Sequence, residues 1–150
     1  MTGDEKQTVL YAGMHTDLLP QKLLRKPGDE SLLLQMVKKA HPDILIDKVY
    51  VDTTETTLDN RAFDQLVIDC ANGKIKRIIV PSLFSLSTDA VTIAHCLRKI
   101  EKADPDVIVY FALERFSTKD DDYMMRITMH FLIETEYKEM QKRRKEFKAI

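Results

Sequence analysis

Short, continuously apolar segments alternate along this chain with segments whose apolar residues recur at helical spacing. Four of the apolar segments have the length of a strand, and they are Thr8–Met14, Ile44–Val51, Lys76–Pro81 and Asp106–Ala112. Strands that are apolar on both faces are typical of parallel sheets covered by helices on either side. The alternation therefore predicts an α/β domain built on a mainly parallel sheet.

The segments that separate and follow these strands are predicted to be helices and polar loops. The predicted helices are Glu30–Ala40, Arg61–Asn72, Asp89–Lys102 and a long helix from Asp120 to about Phe147. Pro42 stops the first helix, and Asn72-Gly73 is a C-terminal signal for the second. The predicted loops are Asp17–Asp29, with one helical turn around Gln21–Arg25, and Asp52–Asn60.

Length, charge and cysteine content exclude several classes of protein. A chain of 150 residues predicts one domain, 1–150. Its 23 basic and 24 acidic residues give a net charge of -1, so any contact with nucleic acid needs a local basic patch. Two cysteines, Cys70 and Cys96, exclude a disulfide scaffold and a four-cysteine zinc site. Without a secretory signal or an apolar run near ~20 residues, we expect a cytoplasmic protein that does not enter membranes.

The strand ends are where a ligand or catalytic site is expected. No GxGxxG, P-loop, HExxH or GxSxG motif occurs, and the four histidines lack metal-ligand spacing, so no metal and no cofactor is predicted. Ligands of parallel sheets bind at the carboxyl ends of the strands. These ends correspond to Gly13–Thr16, Asp52–Arg61, Pro81–Thr88 and Leu113–Thr118. His15 stands directly beyond the first strand, where chemistry is expected.

Five segments in order carry a resemblance to one family. They are YAGMHTD, the stretch from Glu30 to Gln35, VYVDTTETTLDNRAFDQLVIDCANGKIKRIIV, PSLFSLSTDA and VIVYFALERFSTKDDDYMM. At this spacing they resemble the catalytic domain of the serine recombinases, which comprise resolvases, invertases and large serine integrases. The resemblance extends over about residues 8–147. It implies a three-layer α/β fold with a mainly parallel sheet of four or more strands, flanking helices and a long C-terminal helix.

The resemblance also implies where the active site lies and which of its catalytic residues are replaced in this chain. In this family a serine hydroxyl attacks a DNA phosphodiester while arginines neutralise the phosphate. At the matching positions this chain has His15 for the serine, and Gly13, Ser85 and Thr88 for arginines. Removing one preorganised charge stabiliser typically costs about 10²–10³ in rate. We therefore expect no intact catalytic residue, and His15, Arg61, Ser85 and Thr88 are expected to cluster at one edge of the sheet.

Other positions match the family pattern. They are Tyr11, Gln35, Asp52, Arg61, Asp89 and Glu136. Arg61 and Asp52 admit two interpretations, as remnants that bind one anion or as a structural pair that caps the loop. Three further arginines, Arg77, Arg98 and Arg115, are candidates to replace the missing ones, and Arg115 is the only reasonable one. Arg77 begins the third strand, far from its carboxyl end, whereas Arg115 follows the fourth strand at the correct edge.

The long helix is predicted to serve in assembly. Its first half is apolar nearly all round and must be buried on more than one side, so a homodimer through Met124–Tyr137 is expected, as the resemblance also implies. From Lys138 to Lys148 there are six basic residues and two acidic ones. This end either contacts the DNA backbone weakly and without sequence specificity, or is solvated and its cations interact favourably with the helix dipole. The backbone contact would use Lys142, Arg143, Arg144 and Lys145.

These features favour a resolvase/invertase-like domain linked to site-specific DNA recombination. We expect it to be catalytically inactive and to act as an oligomerising or regulatory partner of an intact recombinase. Two alternatives stay open: an active recombinase with His15 as an altered nucleophile, and a module that binds a phosphorylated ligand at its strand ends. Family members continue after the long helix into a DNA-binding region, and none is expected within residues 1–150.

Overall fold

The computed structural model describes residues 5–13, 35, 37–39, 41–52, 61–86 and 90–148. Within these residues five strands form one sheet in the order β2-β1-β3-β4-β5. The strands are β1 (Gln7–Gly13), β2 (Lys48–Asp52), β3 (Ile75–Val80), β4 (Ile108–Phe111) and β5 (Phe116–Ser117). The first four strands run parallel, and β5 is antiparallel to β4. The predicted α/β class with a mainly parallel sheet is therefore confirmed.

The described helices follow the predicted order. They are α1 (Arg61–Ala71), α2 (Leu83–Leu86), α3 (Ala90–Ala103) and α4 (Tyr123–Lys148). Gln35 and residues 37–39 are also helical and belong to the predicted helix Glu30–Ala40. At the end of α1, Gly73 has φ of 72° and its N–H donates to the Cys70 carbonyl at 3.0 Å. The Asn72-Gly73 stop signal acts here as predicted, because glycine adopts this left-handed conformation without steric cost.

The sheet has a hydrophobic cluster on each face, which makes the predicted three layers. One face is covered by α1, α3 and the first turns of α4. Fully buried members of this cluster are Val9, Leu66, Ile78, Ile93, Phe111 and Ile127. On the other face, Leu10 and Ile79 pack with Val37 and with the half-buried Ile44 and Ile46. Most of the energy that holds these layers together comes from burying such side chains.

The long helix α4 leaves the domain after its first turns. Ile127 is fully buried, and Tyr123 and Phe131 pack half-buried against the same core. From Thr135 to Phe147 every side chain is exposed. The helix has 26 residues and a length of about 39 Å. No helix in the described part of the chain is long and apolar enough to cross a membrane.

Three predicted element boundaries were wrong. The strand predicted at Ile44–Val51 is observed as Lys48–Asp52. Just before it, Asp47 is held to β1 by two long-range bonds: its carboxylate accepts the Thr8 N–H at 2.9 Å, and its N–H donates to the Thr8 carbonyl at 2.8 Å. The long helix begins at Tyr123, since the Asp120 carboxylate accepts the Ser117 N–H at 3.0 Å and closes a turn first. The strand predicted at Asp106–Ala112 is limited to β4, Ile108–Phe111.

Two short elements were not predicted. Residues Leu83–Leu86 form α2 where a serine-rich turn was expected, and Phe116–Ser117 form β5. Neither is long enough to show a helical or strand periodicity in the sequence. The predicted loop Asp17–Asp29, residues 53–60 of the second loop and much of Glu30–Ala40 lie outside the described residues.

Candidate functional site

The strand order defines where a site is expected. The strand β1 lies between β2 and β3, so the chain forms β2 on one side of β1 and then crosses to form β3 on its other side. In open parallel sheets, ligands bind at such a switch point, beyond the carboxyl ends of the strands. Here those ends are Gly13 of β1, which is paired in register with Asp52 of β2, and Val80 of β3. Pro81 and Ser82 follow directly and lead into α2.

Asp52 joins three elements at this edge. Its side chain is buried, with 4% of the residue exposed, and accepts a 2.6 Å hydrogen bond from the Tyr11 hydroxyl. It also accepts the N–H groups of Ala62 at 2.8 Å and Phe63 at 3.1 Å. A carboxylate that accepts the first N–H groups of a helix caps it and complements its dipole. Asp52 therefore ties the ends of β1 and β2 to the start of α1.

Tyr11 is committed to the same network. It is buried, and the Phe63 ring packs edge-on against its ring with centroids 5.5 Å apart. Burial, the hydrogen bond to Asp52 and the charge of Asp52 raise the pKa of Tyr11 far above its usual value. Its hydroxyl therefore stays protonated and donates to Asp52. The arrangement supports the structural interpretation of Asp52, and it leaves Arg61 exposed at the first position of α1.

Glu114 organises the other side of the edge. One carboxylate oxygen accepts the Ser82 hydroxyl at 2.9 Å, and the other accepts the Leu83 N–H at 2.9 Å. These bonds connect the end of β4 to the start of α2, the helix that contains Ser85. The sequence pattern assigned no role to Glu114, although an acid directly beyond a buried strand was a usable signal. The next residue, Arg115, is exposed and has φ of 60°.

A second buried carboxylate lies near the end of α1. Asp69 accepts hydrogen bonds from the Tyr50 hydroxyl and from Gln65 Nε2, the latter at 3.0 Å. Lys48 and Lys74 lie 3.8 and 3.9 Å from its oxygens. Burial alone raises the pKa of Asp69, but the two hydrogen bonds and two cations outweigh it, so its pKa is below the usual value. The sequence contains an unused signal for this buried carboxylate: Asp69 follows Leu66 by three residues and so lies on the apolar face of α1.

The predicted site residues are distributed as follows. Tyr11, Gly13, Asp52, Arg61 and the α2 residue Ser85 belong to the carboxyl edge of the sheet. His15, Thr88 and Asp89 lie outside the described residues, so their expected clustering with Arg61 and Ser85 remains a prediction. Gln35 is exposed, as is Glu136 on α4. The candidate DNA-backbone residues are exposed on the same helix, and they are Lys142, Arg143, Arg144 and Lys145.

Among the described residues, no group of three or more histidine, cysteine or acidic side chains is placed to hold a metal ion. The polar side chains at the carboxyl edge bond mainly to one another: Tyr11 with Asp52, and Ser82 with Glu114. Gly13 contributes no side chain. The described part of this edge is therefore built to hold strands and helices together.

Comparison with solved structures identifies similar folds. A resolvase family site-specific recombinase from Streptococcus pneumoniae is 16% identical, with a TM-score of 0.57 over 97% of this chain and 98% of that chain. The N-terminal catalytic domain of TP901-1 integrase is 16% identical, with a TM-score of 0.60 over 91% of this chain and 99% of that chain. No protein-family model and no curated protein sequence matches. The predicted resemblance is confirmed for the fold, which is that of a serine recombinase catalytic domain.

Proposed function

We propose that this chain is a resolvase/invertase-like domain of site-specific DNA recombination that does not cleave DNA. In this proposal it acts as an oligomerising or regulatory partner of an intact recombinase. The observation that supports it best is that, among the described residues, the carboxyl edge of a serine recombinase fold lacks the expected arginines. Gly13 at the end of β1 has no side chain that could contact a phosphate, and Tyr11 and Asp52 are hydrogen-bonded to each other.

The reaction of a phosphodiester needs positive charge where negative charge develops on the phosphate oxygens. The positions that match the family's arginines hold Gly13, Ser85 and Thr88, which are neutral. A serine or threonine hydroxyl donates a hydrogen bond but supplies no charge, so it cannot replace a guanidinium at this task. The effects of replacing several arginines on the rate are not additive. Together, however, these replacements remove the positive charges that would hold and neutralise the phosphate.

The partner role depends on α4. Several large apolar side chains of this helix are exposed, including Met129 at 51%, Leu132 at 59% and Ile133 at 62%. Exposed apolar patches of this kind mark protein interfaces. We propose a two-fold homodimer through Met124–Tyr137, in which the same patch serves both copies. The same surface would engage the corresponding helix of an intact recombinase.

The basic end of α4 is proposed to give at most weak, nonspecific contact with the DNA backbone. Lys142, Arg143, Arg144 and Lys145 are exposed and lie close together in sequence. Phosphate contacts by such residues carry no sequence information and weaken steeply with salt.

We place the protein in the cytoplasm. Cys70 and Cys96 are free thiols in the structure. Burial raises the pKa of Cys70 to about 12, so this thiol is protonated and unreactive at neutral pH. Free cysteines, one buried and one half-buried, suit a reducing compartment.

The proposed function is tested with supercoiled plasmid DNA that carries recombination sites. We expect no nicking and no covalent protein–DNA adduct, while the purified chain forms a dimer and copurifies with an intact recombinase. An adduct that is lost in His15→Ala and retained in Ser82→Ala and Ser85→Ala would replace this proposal with the altered-nucleophile mechanism. A chain that neither dimerises nor binds an intact recombinase would contradict the partner role.

A further inference from the structure

Arg77 is a charged residue on a central strand of the sheet. It lies on β3, in register with Thr8 of β1 on one side and Ile108 of β4 on the other. Alternation along the strand places it on the same face as Ile79, which is fully buried. Arg77 itself is half-buried. The buried part of such a guanidinium group usually needs a hydrogen-bond partner.

The Nε atom of Arg77 is buried, and among the described residues it has no hydrogen-bond partner. No ion pair in the described part of the chain joins Arg77 to a carboxylate within 4.0 Å. Buried polar groups are nearly always satisfied by protein, water or an ion, and an unpaired charged donor is especially unfavourable. The Nε–H of Arg77 therefore lacks an acceptor, which a bound molecule would supply.

Arg77 lines an open cavity of about 430 Å³ at the amino-terminal edge of the sheet, and the other charged residues of its lining are exposed. This volume is in the range of small-molecule sites. Two of the charged groups in its lining are already engaged. The Asp47 carboxylate accepts the Thr8 N–H at 2.9 Å, and the Lys6 ammonium lies 3.5 Å from Asp104.

The lining limits the charge of the missing acceptor. A guanidinium presents Nε and Nη in a planar fork that matches the two oxygens of a carboxylate. The lining holds three acidic residues, Glu5, Asp43 and Asp47, and three basic ones, Lys6, Lys76 and Arg77, so its formal charges balance. A monoanion therefore leaves less uncompensated negative charge in the cavity than a dianion such as phosphate. We propose that this cavity binds a small monocarboxylate through the guanidinium of Arg77. The site lies at the opposite edge of the sheet from Gly13 and Asp52, so it is independent of the proposed recombination function.

The proposal is tested by NMR on the full chain labelled with nitrogen-15, in which the arginine Nε–H groups give resolved signals. Sodium acetate is titrated against sodium chloride at equal ionic strength. We expect a saturable shift of the Arg77 Nε–H signal in the millimolar range of acetate and no shift with chloride. Inorganic phosphate at the same concentrations is expected to shift it less.

The variant Arg77→Lys keeps the charge and removes Nε. The acetate response of the Thr8 and Lys76 backbone amides should be lost in this variant. It should persist in the matched control Arg98→Lys, which changes an exposed arginine of α3. If Arg77→Lys does not fold, the acetate titration of the unmodified chain still tests whether a carboxylate binds at Arg77.

Three outcomes would overturn the proposal. The first is an Arg77 signal that does not respond to acetate. The second is a stronger response to phosphate, which would make the carboxylate assignment wrong. The third is an Arg77 Nε–H signal that shifts in Asp43→Asn without added acetate, since this would identify an internal ion pair as the acceptor.

Discussion

The Tyr11 hydroxyl donates a 2.6 Å hydrogen bond to the carboxylate of Asp52, a residue 41 positions away in the chain. The same carboxylate accepts two N–H groups at the start of α1. Both residues match the serine recombinase pattern, and both have a structural task here. Their presence therefore does not by itself indicate a catalytic site.

Asp52→Ala is expected to lower the free energy of unfolding by about 1–3 kcal/mol, because it removes the cap of α1 and leaves the buried Tyr11 hydroxyl without an acceptor. Tyr11→Phe should cost about 1 kcal/mol, and the double variant should cost less than the sum of the two. Urea denaturation measures all three. The control is Asp121→Ala, which changes an exposed aspartate. Equal urea midpoints for Asp52→Ala and this control would show that the network does not stabilise the fold.

Glu114→Ala is expected to destabilise the protein by about 1–3 kcal/mol, since two buried donors lose their acceptor. Ser82→Ala removes one of these donors together with its bond and should cost less. Amide hydrogen exchange at Leu83 should accelerate in Glu114→Ala and not in Glu101→Ala, an exposed glutamate of α3. Unchanged exchange at Leu83 would argue against a role of Glu114 in fixing α2.

The pH dependence of stability should contain a contribution from Asp69. Its pKa in the folded protein is below the usual value, so the unfolded state binds this proton first as the pH falls. The stabilisation is thus present above the unfolded pKa of about 3.9 and is lost as the pH falls through the lower folded value. Unfolding free energies at neutral and acidic pH measure the effect. Asp69→Asn and Tyr50→Phe should make stability depend less on pH in the acidic range.

Arg115→Gly is expected to stabilise the protein by about 0.5–1 kcal/mol, because φ of 60° is unfavourable for an arginine and open to glycine. Thermal unfolding measures the change. The control variant is expected to change stability in the opposite direction. Arg98→Gly places glycine inside α3 and should lower the free energy of unfolding by about 1 kcal/mol. A destabilised Arg115→Gly would mean that the arginine side chain makes a compensating contact.

Met129→Glu is expected to shift the protein from dimer to monomer, because it places a charge in the exposed apolar face of α4. Met129 is 51% exposed, so the folded monomer should tolerate the change. Sedimentation velocity measures the mass, with Arg143→Glu and Lys145→Glu as variants expected to remain dimeric. A monomeric unmodified chain at high micromolar concentration would remove the main support for the partner role.

Local sequence patterns were sufficient for much of the fold. The predicted helix Arg61–Asn72 is observed as Arg61–Ala71, and Asp89–Lys102 as Ala90–Ala103. These helices are long and amphipathic, and the first is bounded by the Asn72-Gly73 stop signal, so the information lies within each segment. The parallel sheet followed from apolar strands separated by helices. The order of segments at the strand ends also indicated the family fold that the solved structures share.

The sequence by itself therefore determined the class of fold and the positions of the main elements. The tertiary structure decided which polar groups meet. Asp52 with Tyr11, and Glu114 with Ser82, are contacts between residues 41 and 32 positions apart. No local periodicity specifies such pairs, because they depend on how the strands are ordered and how the helices pack. The same holds for Arg77, whose unpaired Nε became visible only when the sheet placed it between β1 and β4.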